Sequence, residues 1–415
     1  MARGSDSRRA QTGTEAERRA TPSFDRDRHE RILDAGLALL QEQPDESVRV
    51  DDIARAAGMA KATIYRYFPS REHLYVAIYR QWTEREQRRR RRPAPTSGAD
   101  RARLRGHALL DAFQRHPRFF ELNVMLSAST DPDVQAELSA LTARTRRYFA
   151  NDFAILGVAA PHDAAVMLSA ILHSALTAAV YHGTPFTETH RLLDRFVDLY
   201  DPPEGGDPVG ASETRAHPAP PSKERSNDRS ERRDRIVAAA HTALRERPYE
   251  RIHVADVAQR AQVALGTFYR EFSSKEHLYA VVIREWAGAG PFRSSLDAEA
   301  PEARLRTRIR ALLDTFEEDP QFFKVNVLLY SAADDAVGSI MAGIHAESHQ
   351  ILVADFRALG ASVPEDAAVM LWSILSTLTT AALTYDGSFP EARRVADEFI
   401  TLIARSTARR ASHLA

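Results

Sequence analysis

Two stretches of the chain are nearly the same: residues 62–74 read ATIYRYFPSREHL, and residues 266–278 read GTFYREFSSKEHL. Both belong to a longer match, because residues 32–82 align without a gap with residues 236–286. The offset is 204, and 22 of the 51 aligned positions are identical. The segment that decides the fold is therefore present twice in one polypeptide.

The match continues beyond this first region. HPRFFELNVML at 116–126 corresponds to DPQFFKVNVLL at 319–329, and DAAVMLSAIL at 163–172 corresponds to DAAVMLWSIL at 366–375, both at an offset of 203. This spacing indicates one duplicated domain unit rather than an array of short repeats. The segment between the copies, 201–230, is rich in Pro, Gly, Ser and mixed charge. Such a composition predicts a flexible linker.

Composition narrows the class of protein. The chain has 415 residues, a net charge of −1 and no cysteine, which excludes disulfides and thiol catalysis. It contains no HExxH, GxSxG or phosphate-binding glycine motif, so no catalytic residue, cofactor or metal site is predicted and an enzyme is disfavoured. Residues 1–24 carry arginines without an apolar core and predict a disordered arm rather than a secretion signal. With no apolar run judged long enough to span a membrane, we expect a cytoplasmic protein.

Inside each copy the apolar residues follow a helical period. A first helix is marked by an apolar stripe made of Ile32, Leu33, Leu37 and Leu40. Two short helices follow, separated by Gly58, which suits a left-handed turn. The second of them is expected to turn Ile64 and Phe68 inward, and Ser70 is expected to cap a longer helix. This order predicts a helix-turn-helix.

The remainder of each copy also predicts helices. In the first copy we place them near 101–115, 117–128, 132–156, 162–182 and 187–200. Gly157 and Gly360 are expected to end helices. The segment 162–182 is apolar almost all round and should be buried on several sides. The fold class is therefore all-α.

At this point the sequence resembles a known family. VDDIARAAGMAKATIYRYFPSREHLYVAIY at 50–79 resembles the DNA-binding signature of the TetR family of bacterial transcriptional regulators, and VADVAQRAQVALGTFYREFSSKEHLYAVVI at 254–283 resembles a second one. The resemblance implies a three-helix head that binds double-stranded DNA and an all-helical body that binds a small ligand and dimerises through its last two helices. Two such units stand in tandem. The expected division is an arm 1–24, a first head 25–80 and body 81–200, a linker 201–230, a second head 231–284 and body 285–409, and a tail 410–415.

The second short helix of each head is expected to enter a major groove. An arginine there can pair with guanine, and nearby cations and hydroxyls can contact phosphates. The predicted DNA-binding residues of the first head are Arg49, Lys61, Ala62, Thr63, Tyr65, Arg66, Tyr67 and Arg71. Those of the second head are His253, Leu265, Gly266, Thr267, Tyr269, Arg270 and Lys275. The second head has lost a lysine at Leu265 and gained an acid at Glu271, so we expect it to bind DNA more weakly or to read a different half-site.

The bodies carry less information. An unknown small apolar effector is expected, and aromatic or methionine side chains could line its pocket, although aromatics at helical spacing more often form a core. The candidate pocket residues are Phe119, Phe120, Met125, Met167, Tyr181, Phe322, Phe323, Trp372 and Tyr385.

Duplication of the unit has two explanations. The copies could form an intramolecular pseudo-dimer, with helices 162–200 packed against 365–405, that reads an asymmetric site; alternatively, whole chains could form a homodimer with four heads. The expected function is a ligand-responsive transcriptional repressor, repression being the family's usual mode. The alternative is an architectural DNA-binding protein without ligand control.

Overall fold

The computed structural model describes residues 21–42, 48–89, 97–201, 227–294, 300–330, 334–384 and 387–414. Within these ranges the regular elements are helices, as expected for the all-α class, and each copy contributes nine α-helices. Those of the first copy are α1 Thr21–Glu42, α2 Val50–Ala56, α3 Lys61–Tyr67, α4 Arg71–Arg89, α5 Gly98–Arg115, α6 Arg118–Ser127, α7 Pro132–Ile155, α8 Pro161–His182 and α9 Phe186–Asp198.

The second copy repeats this order. Its helices are α10 Asn227–Glu246, α11 Val254–Arg260, α12 Leu265–Glu271, α13 Lys275–Ala289, α14 Pro301–Glu318, α15 Pro320–Tyr330, α16 Asp335–Leu359, α17 Pro364–Thr384 and α18 Phe389–Leu414. Short 3-10 turns precede α11 and follow α13.

Three boundaries differ from those expected from composition. Helix α1 begins at Thr21, inside the predicted arm, and α10 begins at Asn227, inside the predicted linker. Helix α18 runs to Leu414, so the predicted tail is largely helical. The added residues 21–24 (TPSF) and 227–230 (NDRS) contain Pro, Ser, Asn and Asp, which suit the start of a helix although they are also common in linkers. At the end of α18, Arg410 and Ala411 are residue types that favour a helix.

The chain packs as two compact units. The first comprises Met1–Ala165 and Leu176–Leu193, and the second comprises Val166–Ala175 and Asp194–Ala415. The second unit thus includes the middle of α8 in addition to the second copy. Within it, Arg195 Nε lies 3.8 Å from Asp366 Oδ2. The carboxylate of Asp366 is buried, so a positively charged neighbour offsets part of its desolvation.

Helices α8 and α17 contradict the expectation that no apolar run of the chain is long enough to span a membrane. By length and composition alone, Pro161–His182 and Pro364–Thr384 could each cross a membrane. However, about half of the most apolar 18-residue segment of each helix is buried inside the protein: 56% in α8 and 50% in α17. Core helices of soluble proteins have the same character, so the two helices are weak evidence for a membrane.

Each body is held together by a buried carboxylate that two arginines share. Asp152 of α7 is fully buried and accepts from Arg105 Nε at 2.7 Å and from Arg101 Nε at 3.3 Å, both on α5. In the second copy Asp355 of α16 accepts from Arg304 and Arg308 of α14, each at 2.7 Å. These residues occupy matching positions at the offset of 203. The cluster fixes the first body helix against the third.

Removal of the shared carboxylate should therefore destabilise one unit. For Asp152→Ala we expect a loss of about 2–3 kcal/mol in the free energy of unfolding of the first unit, since two partly buried guanidinium groups lose their partner. The neighbouring exposed Asn151→Ala is the control and should stay within about 0.5 kcal/mol. Urea unfolding with hydrogen-exchange mass spectrometry on the full chain measures both. Equal effects of the two changes would contradict a stabilising role for the cluster.

Candidate nucleic-acid interface

Helix α3 exposes one face because its other face is buried in the first head. Ile64 is 0% exposed and Phe68, which follows the helix, is 4% exposed. The opposite side bears the predicted contact residues. Among the predicted residues of this head, Arg49, Lys61, Ala62, Tyr65, Arg66 and Arg71 are exposed, and Thr63 and Tyr67 are half-buried. The head thus exposes hydroxyl and cationic groups on a short helix whose other face is packed in the core.

The cations on this surface have protein partners. Lys61 Nζ lies 3.0 Å from Asp51 Oδ2 of α2, and this hydrogen bond with its charge raises the pKa of Lys61. Arg66 Nη2 donates to the hydroxyl of Tyr67 at 3.3 Å. Both pairs are exposed, so water competes with them and their net strength is small. Either cation can exchange its partner for a phosphate or a base edge.

The start of α4 is fixed beside α3. His73 N donates to Ser70 Oγ at 3.3 Å, which confirms Ser70 as the capping residue. The hydroxyl of Tyr75 donates to the carbonyl of Val48 at 2.6 Å. Arg71 lies over the ring of Tyr75, 5.8 Å from its centroid, and its side chain is exposed. The exposed cation therefore lies on a backbone that is tied to the segment before α2.

The second head exposes the matching face of α12 with different chemistry. Phe268 and Phe272 are fully buried and anchor the helix. Leu265 and Tyr269 are 46% and 54% exposed. Arg270 is exposed and donates to Thr267 Oγ1 at 3.0 Å. An apolar side chain therefore stands where the first head has Lys61.

Lys275 is placed differently from its counterpart Arg71. Its amino group donates to the carbonyl of Tyr249 at 2.6 Å and lies 3.8 Å from the centroid of the Tyr249 ring. Burial lowers the pKa of Lys275. The amino group is thus engaged with its own head. His253 and Gly266, the remaining predicted residues of this head, are exposed.

The turn between α2 and α3 explains one difference between the heads. Gly58 has a φ of +66°, in the left-handed region, as expected, and the matching Gln262 has a φ of +55°. A side chain in this region is strained, so the second head carries a cost that the first lacks. Arg31, which the sequence analysis did not single out, donates from Nη2 to the carbonyl of Ala57 at 2.8 Å and braces this turn. The sequence offers one indication of this role, since the second copy also has an arginine, Arg235, at the matching position.

Eight of the nine predicted pocket residues lie in the part of the chain that the structure describes, and they differ in burial. Phe119, Phe120, Met167, Phe322 and Phe323 are buried. Phe119 stacks on Trp82 with centroids 4.4 Å apart, which is core packing. Met125 and Tyr181 are exposed, and Trp372 is half-buried with its ring 5.9 Å from that of His345. Tyr385 lies outside the described residues. The burial fits the core interpretation for the buried side chains, and a pocket stays a prediction.

One group of side chains could coordinate a cation. His73, Asp131 and Asp133 place their ligand atoms within 4.8 Å of one another. However, Asp131 Oδ1 accepts from the backbone of Asp133 at 3.0 Å as the cap of α7, and His73 Nδ1 lies 2.9 Å from Ser70 Oγ. These hydrogen bonds at two helix starts account for the cluster without an ion.

Comparison with known proteins agrees with this geometry. The family described as "Bacterial regulatory proteins, tetR family" matches at residues 32–78 and again at 236–282, which are the two heads. The HTH-type transcriptional repressor KstR of Rhodococcus jostii is 33% identical over 125 residues, 30% of this chain and 59% of that protein. An uncharacterised HTH-type transcriptional regulator of Mycobacterium tuberculosis is 45% identical over 56 residues, 14% of this chain and 28% of that protein.

Among solved structures, a TetR transcriptional regulator from Rhodococcus sp. RHA1 is similar to 43% of this chain and 97% of its own, with 22% identity and a TM-score of 0.33. The alignment with KstR spans less than two thirds of that protein's length. The chain therefore carries two segments, one in each head, that match the tetR family of bacterial regulatory proteins.

The pKa values of Lys61 and Lys275 test the contacts that the structure gives to these two side chains. The chain has four lysines, Lys61, Lys223, Lys275 and Lys324, so the NMR signals of reductively methylated protein can be assigned by single Lys→Arg variants. We expect Lys61 to titrate at a higher pH than Lys275, because Asp51 stabilises the Lys61 ammonium whereas burial disfavours that of Lys275.

The substitution Asp51→Asn is the control for this titration. It should lower the pKa of Lys61 and leave that of Lys275 unchanged, since Asp51 lies in the first head only. A Lys275 signal that titrates above that of Lys61 would contradict the placement of both side chains.

Proposed function

We propose that the chain is a sequence-specific DNA-binding transcriptional regulator whose two heads bind one duplex. The observation that carries the proposal is the exposed face of α3 and of α12, each on a domain that matches the family. A major groove is wide enough for one helix, and side chains on the exposed face then reach base edges.

The roles of the residues follow from their chemistry. Arg66 and Arg270 are the guanine-reading candidates, since a guanidinium can donate two hydrogen bonds to one guanine. Lys61 and Arg71 are phosphate-binding candidates, and the hydroxyls of Thr63 and Tyr65 can donate to phosphate or base oxygens. Ala62 and Tyr67 of the first head lie beside these groups on the same helix.

The second head is proposed to bind DNA more weakly. Leu265 brings no charge to the backbone contact, and the amino group of Lys275 is engaged with Tyr249. Gln262 adds strain to the turn that positions α12. Hydroxyl and guanidinium groups that can hydrogen-bond to base edges are still present in this head, on Thr267, Tyr269 and Arg270. A site with one strong and one weak half therefore fits the chain better than a symmetric palindrome.

An intramolecular pseudo-dimer is the proposed assembly. It is supported by the second unit, which includes Val166–Ala175 from the first copy, and by the buried Asp366 beside Arg195. The predicted linker 201–230 has a root-mean-square span of roughly 30 Å, which allows neighbouring bodies to meet. A tether of this kind replaces association from solution by a high effective concentration.

Regulation by a small molecule is proposed as well. Relatives of this chain are named transcriptional repressors, so we propose a cytoplasmic repressor that an apolar effector, bound in the bodies, releases from DNA. The alternative is an architectural DNA-binding protein, which no effector would release. Addition of candidate effectors to the protein on its selected DNA distinguishes the two.

Selection of binding sites from a random DNA library tests the proposal. On the selected site, Arg66→Ala should weaken binding by about 1–3 kcal/mol and relax the preference at one base pair. Arg270→Ala should relax a different base pair and cost less, because the second head contributes less affinity. Fluorescence anisotropy at fixed salt measures both.

The control is Arg357→Ala, which removes an exposed arginine from a body helix and should change affinity by less than either head variant. Failure of the selection to enrich any sequence would overturn the proposal. Equal loss from all three variants would remove the assignment of the recognition residues.

Mass in solution tests the assembly. Light scattering on the full chain should give a mass near 46.3 kDa, the mass of one chain, with and without the selected DNA after the DNA mass is subtracted. A mass of about twice that value on DNA would instead support a homodimer with four heads.

A further inference from the structure

A cleft of about 570 Å³ lies in the second unit, where α10 and α13 of the head meet α14 of the body. Its size falls within the range of small-molecule sites. None of the candidate pocket residues named above lines it, although Phe322 packs against Trp286 and His241 of its wall. Trp286 contributes its apolar surface, and Glu285, Glu318 and Asp319 contribute carboxylates.

The carboxylates of this cleft differ in their ion-pair partners. Asp319 is paired with Arg245, whose Nη2 lies 2.7 Å from Oδ2. Asp314, also in the wall, is paired with Arg393 at 2.6 Å. Glu285 and Glu318 form no hydrogen bond or ion pair with any part of the chain that the structure describes. Both side chains are exposed, and the charges of Arg284 and Arg233 act on Glu285 without forming an ion pair.

Partial desolvation acts on one of these exposed carboxylates. Desolvation raises the pKa of Glu285, so a cation held close to it would lower the free energy of the ionised form. His241 at the edge of the cleft does not provide that cation, because burial lowers its pKa below the ordinary value and leaves the ring neutral at neutral pH. A bound cation would add to the stabilisation that Arg284 and Arg233 already give to Glu285.

An apolar wall stands beside the carboxylates. Trp286 is half-buried and its ring is nearly parallel to that of Phe322, with centroids 5.1 Å apart. Ala289 and Ala311 add small apolar side chains to the lining. A flat apolar group can cover such a wall while a charged end meets the carboxylates.

The first copy fills the same place with its own side chains. Glu86 stands where the second copy has Gly290, and Arg115 stands where it has Glu318. Glu86 is only 4% exposed, and its carboxylate lies 3.0 Å from Arg115 Nη2 and 3.1 Å from Arg89 Nη1. In the first copy, then, a guanidinium of the protein neutralises the carboxylate.

The second copy has neither the carboxylate of Glu86 nor the guanidinium of Arg115 at the matching positions. Gly290 has room for a side chain, since an added Cβ would meet its nearest neighbour at 3.5 Å. The change from Arg115 to Glu318 reverses the charge at the matching position. The result is an open cleft with an excess of negative charge where the first copy has a closed ion pair.

We propose that this cleft of the second copy is a binding site for a small organic cation with an aromatic or apolar body. Its charged group pairs with Glu318 and Glu285, and its body lies on Trp286. The site concerns binding alone and is independent of whether the chain binds DNA. It is absent from the first copy, because Glu86 and Arg115 occupy the space.

Benzamidine is a suitable probe, with its neutral near-isostere benzamide as the comparison. Isothermal titration calorimetry on the full chain should give one benzamidine site per chain, and benzamide should bind at least about tenfold more weakly since it lacks the charge. Absence of benzamidine binding, or equal affinity for benzamide, would overturn the proposal.

Variants locate the site. Glu318→Gln keeps the shape of the side chain and should weaken benzamidine binding about fivefold, the scale of one partly exposed ion pair. The double variant Gly290→Glu, Glu318→Arg rebuilds the ion pair of the first copy and should abolish binding. The exposed Asp335→Asn, elsewhere in the same unit, is the control and should leave the affinity unchanged. Benzamidine binding that survives both cleft variants would also refute the site.

Discussion

Helix α3 has seven residues, which is too short to be stable in water by itself. It persists because Ile64 and the following Phe68 insert into the core of the first head, and α12 persists because Phe268 and Phe272 do the same in the second. This anchoring leaves one face of each helix exposed. The proposed function depends on this constraint. A helix of seven residues can place its exposed face in a major groove only if its other face is fixed by packing in the core.

The duplication separates what the fold requires from what the surface can vary. The buried clusters around Asp152 and Asp355 keep their chemistry between the copies. Positions on the short helices of the heads have diverged: the exposed Lys61 corresponds to Leu265, and the half-buried Tyr67 corresponds to Glu271. The loss of a cation weakens phosphate contacts without disturbing the core. One chain can thereby carry two heads of the same fold with different affinity.

Much of the architecture follows from the sequence, because helical periodicity and capping residues are local signals. The body helices lie within a few residues of the predicted ranges, and Gly58 and Gly360 have the expected left-handed conformation. Long-range pairings left no such signal. The partners of Asp152, the ion pair that buries Glu86 and the engagement of Lys275 by Tyr249 each join residues that are distant in the chain. The predicted arm, linker and tail overlap the ends of α1, α10 and α18, because residues such as Ser, Asn and Pro occur both at helix starts and in linkers.

The central claim is that both heads of one chain contact one duplex. Hydroxyl-radical footprinting of the full chain on its selected DNA tests this most directly. The account predicts two protected segments about 34 Å apart along the helix axis, of unequal strength, with the weaker one lost first in an Arg270→Ala variant. A single protected segment, or two that respond alike to that substitution, would contradict it.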